Sequence, residues 1–337
     1  LGGLHVTAMR KEAQAHADAV VLGEGEPVWT RLVRDFEAGR LQPIYDARGQ
    51  AFSLADSPMP RYDLLEPDRY NRLTVQTQRG CPFDCEFCAA SIRLSPGFRT
   101  KPLDRVTAEI DEIRRIWPRP FIELADDNSF ADRKRGLRLA EAMGRADVRW
   151  FTETDLSVAY DEDLLDALEQ SGCQQVLIGF ESPQQGALDS LEQRSNWKHR
   201  QWRRYLEAVD RIQSRGISVN GCFILGLDGS GPQSFGEVLR FIRESGLSEV
   251  QITVLTPFPG TPLYRRLARE GRLLQPTAWE RCTLFDVNFR PTGLSAEELE
   301  SGFLDLAKQV YSDEETSRRK ERFLPLMRRR FERRKAV

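Results

Sequence analysis

From residue 72 onward, short strand-like apolar runs alternate with longer helical stretches, and no other feature narrows the fold as much. Strand candidates fall at residues 73–77, 121–125, 149–154, 176–180, 218–225 and 249–255. Helix candidates lie between them at 103–116, 133–143, 161–170, 200–214 and 234–245. Strands separated by helix-length segments predict parallel pairing. Gly172 and Gly216 follow two of the helix candidates and read as C-terminal caps. Eight such units close a full barrel. Six imply either an incomplete barrel or an open sheet, and periodicity does not choose between them.

The flanks differ from this core. The first segment reads strand, helix, strand, helix. Residues 18–23 (DAVVLG) form a buried strand candidate, and residues 26–38 carry Val28, Leu32, Val33 and Phe36 at helical spacing before Gly39. Residues 40–70 hold Pro43, Pro58, Pro60 and Pro67 without a sustained period, as a linker does. From Ser295 the chain reads as helical and ends in the basic stretch RRKERFLPLMRRRFERRK. Pro325 is expected to interrupt that helix. The basic stretch is either a solvated helix or a local contact for RNA or acidic lipid.

The formal net charge of -2 gives no global attraction to nucleic acid or anionic membrane. No apolar run reaches the roughly 18 residues needed to span a bilayer. The first residues lack the basic segment, apolar stretch and cleavage site of a secretory signal, and there is no initiator Met. The chain therefore reads as beginning inside a longer protein. Six cysteines occur, three of them within residues 81–88 and the others at 173, 222 and 282. That distribution fits a metal site in a reducing cytoplasm better than a secreted disulfide framework. Cys173, Cys222 and Cys282 read as small core residues.

The loop after the first core strand is QTQRGCPFDCEFCAAS, with Cys81, Cys85 and Cys88 spaced C-x3-C-x2-C. Three soft thiolates on one short loop suit an iron–sulfur cluster or zinc. A structural zinc site takes four ligands, and His5, His16 and His199 all lie far away in sequence. Three ligands on a four-iron cluster leave one iron open to exchange. Gly80 allows a tight approach before the first ligand, and Arg79, Arg93 and Arg99 can offset the cluster's negative charge. The alternatives are three buried thiols or a zinc site completed from elsewhere.

CPFDCEFC resembles the signature of the radical S-adenosylmethionine superfamily, and residues 72–275 resemble its core. The resemblance implies a [4Fe-4S] cluster held by Cys81, Cys85 and Cys88, with S-adenosylmethionine chelating the open iron. It implies reductive cleavage to a 5'-deoxyadenosyl radical, with electrons from an external flavodoxin- or ferredoxin-like donor. Phe87 occupies the aromatic position near adenine. Asp126 and Asp127, in ADDN, stand where the family contacts the methionine amino group, in a form that departs from the common Gly-Gly-Glu. Glu153 ends the third strand. Glu181 and Ser182 resemble the position for the ribose hydroxyls or methionine carboxylate, and Ile224 the apolar position against adenine. TPFPGTPLY at 256–264 resembles the exit of the sixth strand. The bland readings are a helix cap for the two aspartates, a buried structural acid for Glu181, plain core for Ile224, and a simple turn at 256–264.

The opening segment resembles the end of a doubly wound cobalamin-binding domain, through Gly2 and Gly3 and through GEGEPVW at 23–29. His5 is not a good cobalt ligand candidate. The alternative is a degenerate domain that only packs against the barrel. The implied α/β architecture is a partial (βα)6 TIM-like barrel at 72–275. It follows a cobalamin-domain remnant at 1–45 and a linker at 46–71, and precedes a helical extension at 276–337. Stretches such as ELADDNSF resemble the subgroup of hopanoid methylases and porphyrin cyclases. The resemblance implies a cobalamin-dependent methyltransferase acting on a small molecule or lipid, with cobalamin bound by the full-length protein. Two alternatives stand beside it: methylthiolation of tRNA or protein, and a non-catalytic iron–sulfur or zinc module. No nucleic-acid partner is evident.

Overall fold

A computed structural model describes residues 1–50, 52–92 and 97–335 of the 337-residue chain. The chain opens with two short helices, α1 (Leu4–Ala8) and α2 (Arg10–Gln14), then β1 (Val20–Leu22), α3 (Glu26–Glu37) and β2 (Ile44–Asp46). β1 and β2 pair in parallel around small cores of Val6, Val20 and Leu22 on one face and Val21, Val28 and Tyr45 on the other. The predicted opening strand is helix instead. β2 also crosses the expected boundary at residue 45, so the proline-rich stretch begins inside this small sheet.

The core strands are β3 (Leu73–Val75), β6 (Phe121–Leu124), β7 (Arg149–Thr154), β8 (Cys173–Glu181), β9 (Ser218–Leu225) and β10 (Glu249–Val254). A two-residue antiparallel ladder, β4 (Gln78–Arg79) with β5 (Arg99–Thr100), sits apart from them. The six core strands are all parallel, in the order β10-β9-β8-β7-β6-β3. No ladder joins β3 to β10 among the described residues, so the sheet is an incomplete barrel. The connecting helices are α4 (Leu103–Ile116), α5 (Arg133–Ala146), α6 (Glu162–Gln170), α7 (Trp197–Gln201), α8 (Tyr205–Ser214) and α9 (Gln233–Ser245). The expected helix at 200–214 is divided, with a 3-10 turn at Trp202–Arg204 between α7 and α8.

Alternation along β9 shows how the sequence makes two faces. Val219, Gly221, Phe223 and Leu225 are buried toward the helices, while Asn220, Cys222 and Ile224 are half-buried on the other face. α4 answers with Val106, Ile110 and Ile113, a stripe at helical spacing. Phe180, Phe223, Phe241 and Tyr205 form the aromatic centre of the core, with ring centroids 4.9 to 6.2 Å apart. Gly172 and Gly216 stand two residues past their helices with positive φ, as C-terminal caps do.

The C-terminal part comprises α10 (Pro262–Arg269), α11 (Ala296–Val310) and α12 (Asp313–Lys335). Ser295 and Glu298 form a reciprocal capping box at the start of α11. α12 passes through Pro325 without ending, contrary to the expected interruption. The basic tail is also less solvated than its composition predicts. Arg330 is 2% exposed, and its guanidinium donates to the carbonyls of Leu168, Glu169, Cys173 and Gly216. It thereby ties α12 beneath the turns that follow α6 and α8, a tertiary anchor that offsets the helix bond removed by the proline. No helix among the described residues is long and apolar enough to cross a membrane.

Candidate active site

The cysteine loop hangs between β4 and β5, above the C-terminal ends of the core strands. Gly80 opens it with φ +83°, and a Cβ there would stand 2.8 Å from the Gly97 carbonyl oxygen. Only glycine fits that pinch without strain. Beyond it the loop is pinned at several points. The Glu86 amide donates to the Leu191 carbonyl, and the Leu263 amide donates to the Glu86 carbonyl. Arg266 holds the Glu86 carboxylate with two hydrogen bonds of 3.0 and 2.6 Å and reaches Asp228 at 2.7 Å. Arg194 donates to Asp84 at 2.5 Å.

Cys81, Cys85 and Cys88 line one cavity of about 380 Å³. Burial pushes the Cys81 thiol up to about 11 and the Cys85 thiol up to about 12. Ligation needs the thiolate, so the field that removes these protons has to come from bound metal. A three-sulfur wall on one water-reachable cavity fits a cluster with an open position.

The cavity also gathers Phe87, Asp127, Glu153, Glu181 and Ile224. Two other expected residues point elsewhere. Asp126 is buried and committed: it accepts from the Thr77 and Gln78 amides at 2.8 and 3.0 Å and from the hydroxyls of Thr77 and Ser129 at 2.5 and 2.8 Å. These bonds fix the end of β3, which is why that strand stops before Thr77. α5 is capped by Asp132 instead. Ser182 is buried, and its hydroxyl accepts from the Gln184 amide.

Asp127 is exposed to the open cavity, and partial desolvation by the surrounding walls raises its carboxyl above its ordinary range. Glu153 is likewise exposed to the cavity, and desolvation by the cavity walls, followed by the charge of Asp127, raises it to about 7. Glu181 follows a register shift in β8 and has φ +61°, a strained value for a side-chain-bearing residue. Its carboxylate meets Lys198. Burial lowers the Lys198 pKa, but Glu181 and its other neighbours outweigh that and leave it raised, so the ammonium is charged.

Lys198 was missed in the sequence because it lies in the polar stretch NWKHRQ, which reads as surface. Cys222 was read as core, yet its strand parity turns it into the cavity, within 3.8 Å of Gln251. Cys282 is only half-buried and follows a 3-10 turn, whereas Cys173 is fully buried as expected. Arg79 and Arg99, expected to offset cluster charge, are instead paired with Glu24 and Glu26. Arg93 lies outside the described residues.

A second cavity, of about 480 Å³, lies beside the first. Gly3, Gly23 and Gly25 of the N-terminal segment line it together with Gly80, Ala89 and Ala90 of the cysteine loop, and the charged side chains of Glu24, Glu26, Arg79 and Arg99 line it as well. Asp127 lines both cavities. Gly2 lines a neighbouring apolar pocket of about 390 Å³ with Trp29 and Phe36.

An incomplete parallel barrel carrying a three-cysteine loop over its strand ends defines a class of cluster-dependent enzymes. Residues 75–242 match the family model described as the Radical SAM superfamily, and the chain belongs to that superfamily, whose members use a [4Fe-4S] cluster and S-adenosylmethionine. Residues 261–336 match a domain of unknown function, DUF4070. The chain is 28% identical over 92% of its length to bacteriochlorophyllide d C-12(1)-methyltransferase of Chlorobaculum tepidum, covering 68% of that protein. It is 30% identical over 72% of its length to hopanoid C-2 methylase of Rhodopseudomonas palustris, covering 46% of it. Among solved structures, the cobalamin-dependent S-adenosylmethionine radical enzyme OxsB superposes with a TM-score of 0.68 at 14% identity, over 93% of this chain and 53% of that one. The methyltransferase TsrM of Kitasatospora setae gives 0.63 at 17%, over 93% and 67%. The chain thus spans about half to two thirds of the proteins it resembles.

Proposed function

We propose that this chain carries the radical machinery of a cobalamin-dependent enzyme that methylates an unactivated carbon in a small molecule or lipid. The observation that supports it best is the pair of adjoining cavities. One is lined by Cys81, Cys85 and Cys88, the other by glycines and acidic residues of the N-terminal segment with Arg79 and Arg99, and Asp127 lines both. When bound, the cluster supplies the electron that cleaves S-adenosylmethionine to a 5'-deoxyadenosyl radical, and cobalamin supplies the methyl group. An external one-electron donor of the flavodoxin or ferredoxin type would re-reduce the cluster, and a second S-adenosylmethionine would replace the methyl group given up by cobalamin.

The chain's own residues divide the remaining work. Asp127 and Glu153 offer acceptors to the methionine ammonium. Lys198 offers a cation to its carboxylate, and Glu181 offers acceptors to the ribose hydroxyls. Phe87 and Ile224 give adenine an apolar slot. Asp126, saturated by its own donors, holds the strand end that aims Asp127. In the second cavity, Gly3, Gly23 and Gly25 leave one wall free of side chains for a broad ligand, while Glu24, Glu26, Arg79 and Arg99 make another wall polar.

Anaerobic reconstitution with iron, sulfide, a strong reductant and S-adenosylmethionine tests the radical step. It should yield 5'-deoxyadenosine and methionine, whereas a chain with a full cluster that yields neither refutes it. Cys85→Ala should lose both the cluster absorbance and the cleavage. Retention of cobalamin by the full-length protein through gel filtration tests the methyl-donor half. Ring closure is the second reading. It is favoured by 26% identity over 92% of this chain to the anaerobic magnesium-protoporphyrin IX monomethyl ester cyclase of Cereibacter sphaeroides. Product mass decides between them.

A further inference from the structure

The ladder that closes the base of the cysteine loop has an electrostatic fault. It contains only two residue pairs, and one of them sets Arg79 directly opposite Arg99. Like charges directly opposite each other across a ladder destabilise it, and so short a ladder has little else to hold it. The fault is corrected from outside the loop. The Glu24 side chain, 0% exposed, accepts from Arg79 at 2.8 Å and from Arg99 at 2.5 and 3.1 Å. Glu26 takes the other end of the Arg79 guanidinium at 2.9 Å. The Gln76 side chain accepts from Arg79 and the Phe52 carbonyl from Arg99. Among the described residues, the buried Glu24 is the acid that touches both arginines.

Glu24 belongs to the segment that follows β1, more than fifty residues before the loop it secures. We infer that Glu24 is a positioning residue that latches the base of the cluster loop to the N-terminal segment, so that the hold on the cluster depends on how that segment is seated. This inference rests on the assignment of the three cysteines to the cluster and is independent of methylation. Glu24 lines the second cavity with Arg79 and Arg99 but does not line the cavity of the three cysteines, and both readouts that test it are taken without cobalamin. It acts through Arg79, which adjoins Gly80 and Cys81, and through Arg99 on the far side of the same loop.

The test compares wild type, Glu24→Gln, Glu24→Asp and the double variant Glu24→Gln with Arg99→Gln. The first readout is peptide-level hydrogen exchange across residues 97–101 in metal-free protein. The second is the rate at which an iron chelator bleaches the reconstituted cluster without S-adenosylmethionine or cobalamin. Glu24→Gln should accelerate both by about tenfold or more, because the ladder opens locally while the barrel stays folded. Glu24→Asp, which keeps the charge on a shorter arm, should fall between. The double variant should recover much of the loss, since one of the two repelling charges is gone; a plain packing defect would not recover. If Glu24→Gln alone fails to fold, a folded double variant upholds the latch and an unfolded one overturns it. Unchanged exchange and bleaching in folded Glu24→Gln, or no recovery in the double variant, also overturns it. A wild-type chain that takes up no cluster refutes the cysteine assignment and the latch together. A wild-type chain that holds its cluster as firmly as Glu24→Gln does refutes the latch alone.

Discussion

The Lys198 ammonium stands 2.7 Å from a Glu181 carboxylate oxygen and 2.7 Å from the Gly179 carbonyl oxygen, so a side chain of α7 is laid across the end of β8. The pair closes one wall of the cysteine-lined cavity. Its charge is balanced without a ligand, and a carboxylate entering the cavity shares Lys198 with Glu181.

Lys198→Met should therefore show two separable effects. Stability should fall by about 3–5 kcal/mol, because Glu181 is left buried without its partner. Affinity for S-adenosylmethionine should fall by about tenfold or more, the loss of one charge-assisted contact. Adding Glu181→Gln should restore stability in urea melts without restoring binding measured by calorimetry. Recovery of both would place Lys198 outside the cosubstrate site.

Glu153 gives a pH signature. Its carboxyl faces the open cavity and is raised from 4.5 to about 7, first by desolvation from the cavity walls and then by Asp127. Above that pH it is ionised and attracts a cation, so S-adenosylmethionine binding should tighten as pH rises from about 6 to about 8. Glu153→Gln should flatten that part of the profile. Folding stability moves in the opposite sense. The folded state holds the proton over the window in which the unfolded chain has released it. Stability is thus greatest at the acid end and declines as pH climbs from 4.5 towards 7. Melting temperatures across this window, with and without Glu153→Gln, check the sign.

Gly80→Ala should strain the start of the cysteine loop. A left-handed alanine costs about 1–2 kcal/mol, and the added carbon meets the Gly97 carbonyl oxygen. The expected result is a modest loss in denaturant stability with a clear drop in iron bound per chain. An alanine variant with full iron content would show that the pinch does not govern the loop.

Arg330→Leu tests the anchor of the C-terminal helix. The change leaves the carbonyls of Leu168, Glu169, Cys173 and Gly216 without their shared donor. Loss of charged hydrogen bonds to buried acceptors should cost about 2–4 kcal/mol. Iron content should not change, since the anchor lies at the opposite end of the strands from the cysteines.

The repeating units and the three ligands were legible because each is written locally: alternation in β9, a helical stripe in α4, and a close cysteine spacing. Residues whose role depends on distant partners were not. Asp126 and Asp127 are the same residue type side by side, and only the Thr77 and Ser129 hydroxyls decide that one is structural and the other faces the cavity. Cys222 was mistaken for core because its neighbours Gly221 and Phe223 are core, although a period of two places it on the opposite face. Arg79 and Arg99 look like partners for an anion until Glu24 is placed between them. Pro325 signals a break that the distant anchor at Arg330 overrides.

The sheet's missing seam, between β3 and β10, has a consequence for how such a scaffold can diversify. A closed ring of strands has its girth set by strand number and stagger, and widening it breaks ladder bonds all around. A ring with a gap behaves like an open bracelet. Its span can change through whatever segment bridges the opening, with every strand pairing left intact. Substrates of very different bulk can then be served by one radical-generating wall, with the cysteine loop fixed and the tailoring confined to the gap.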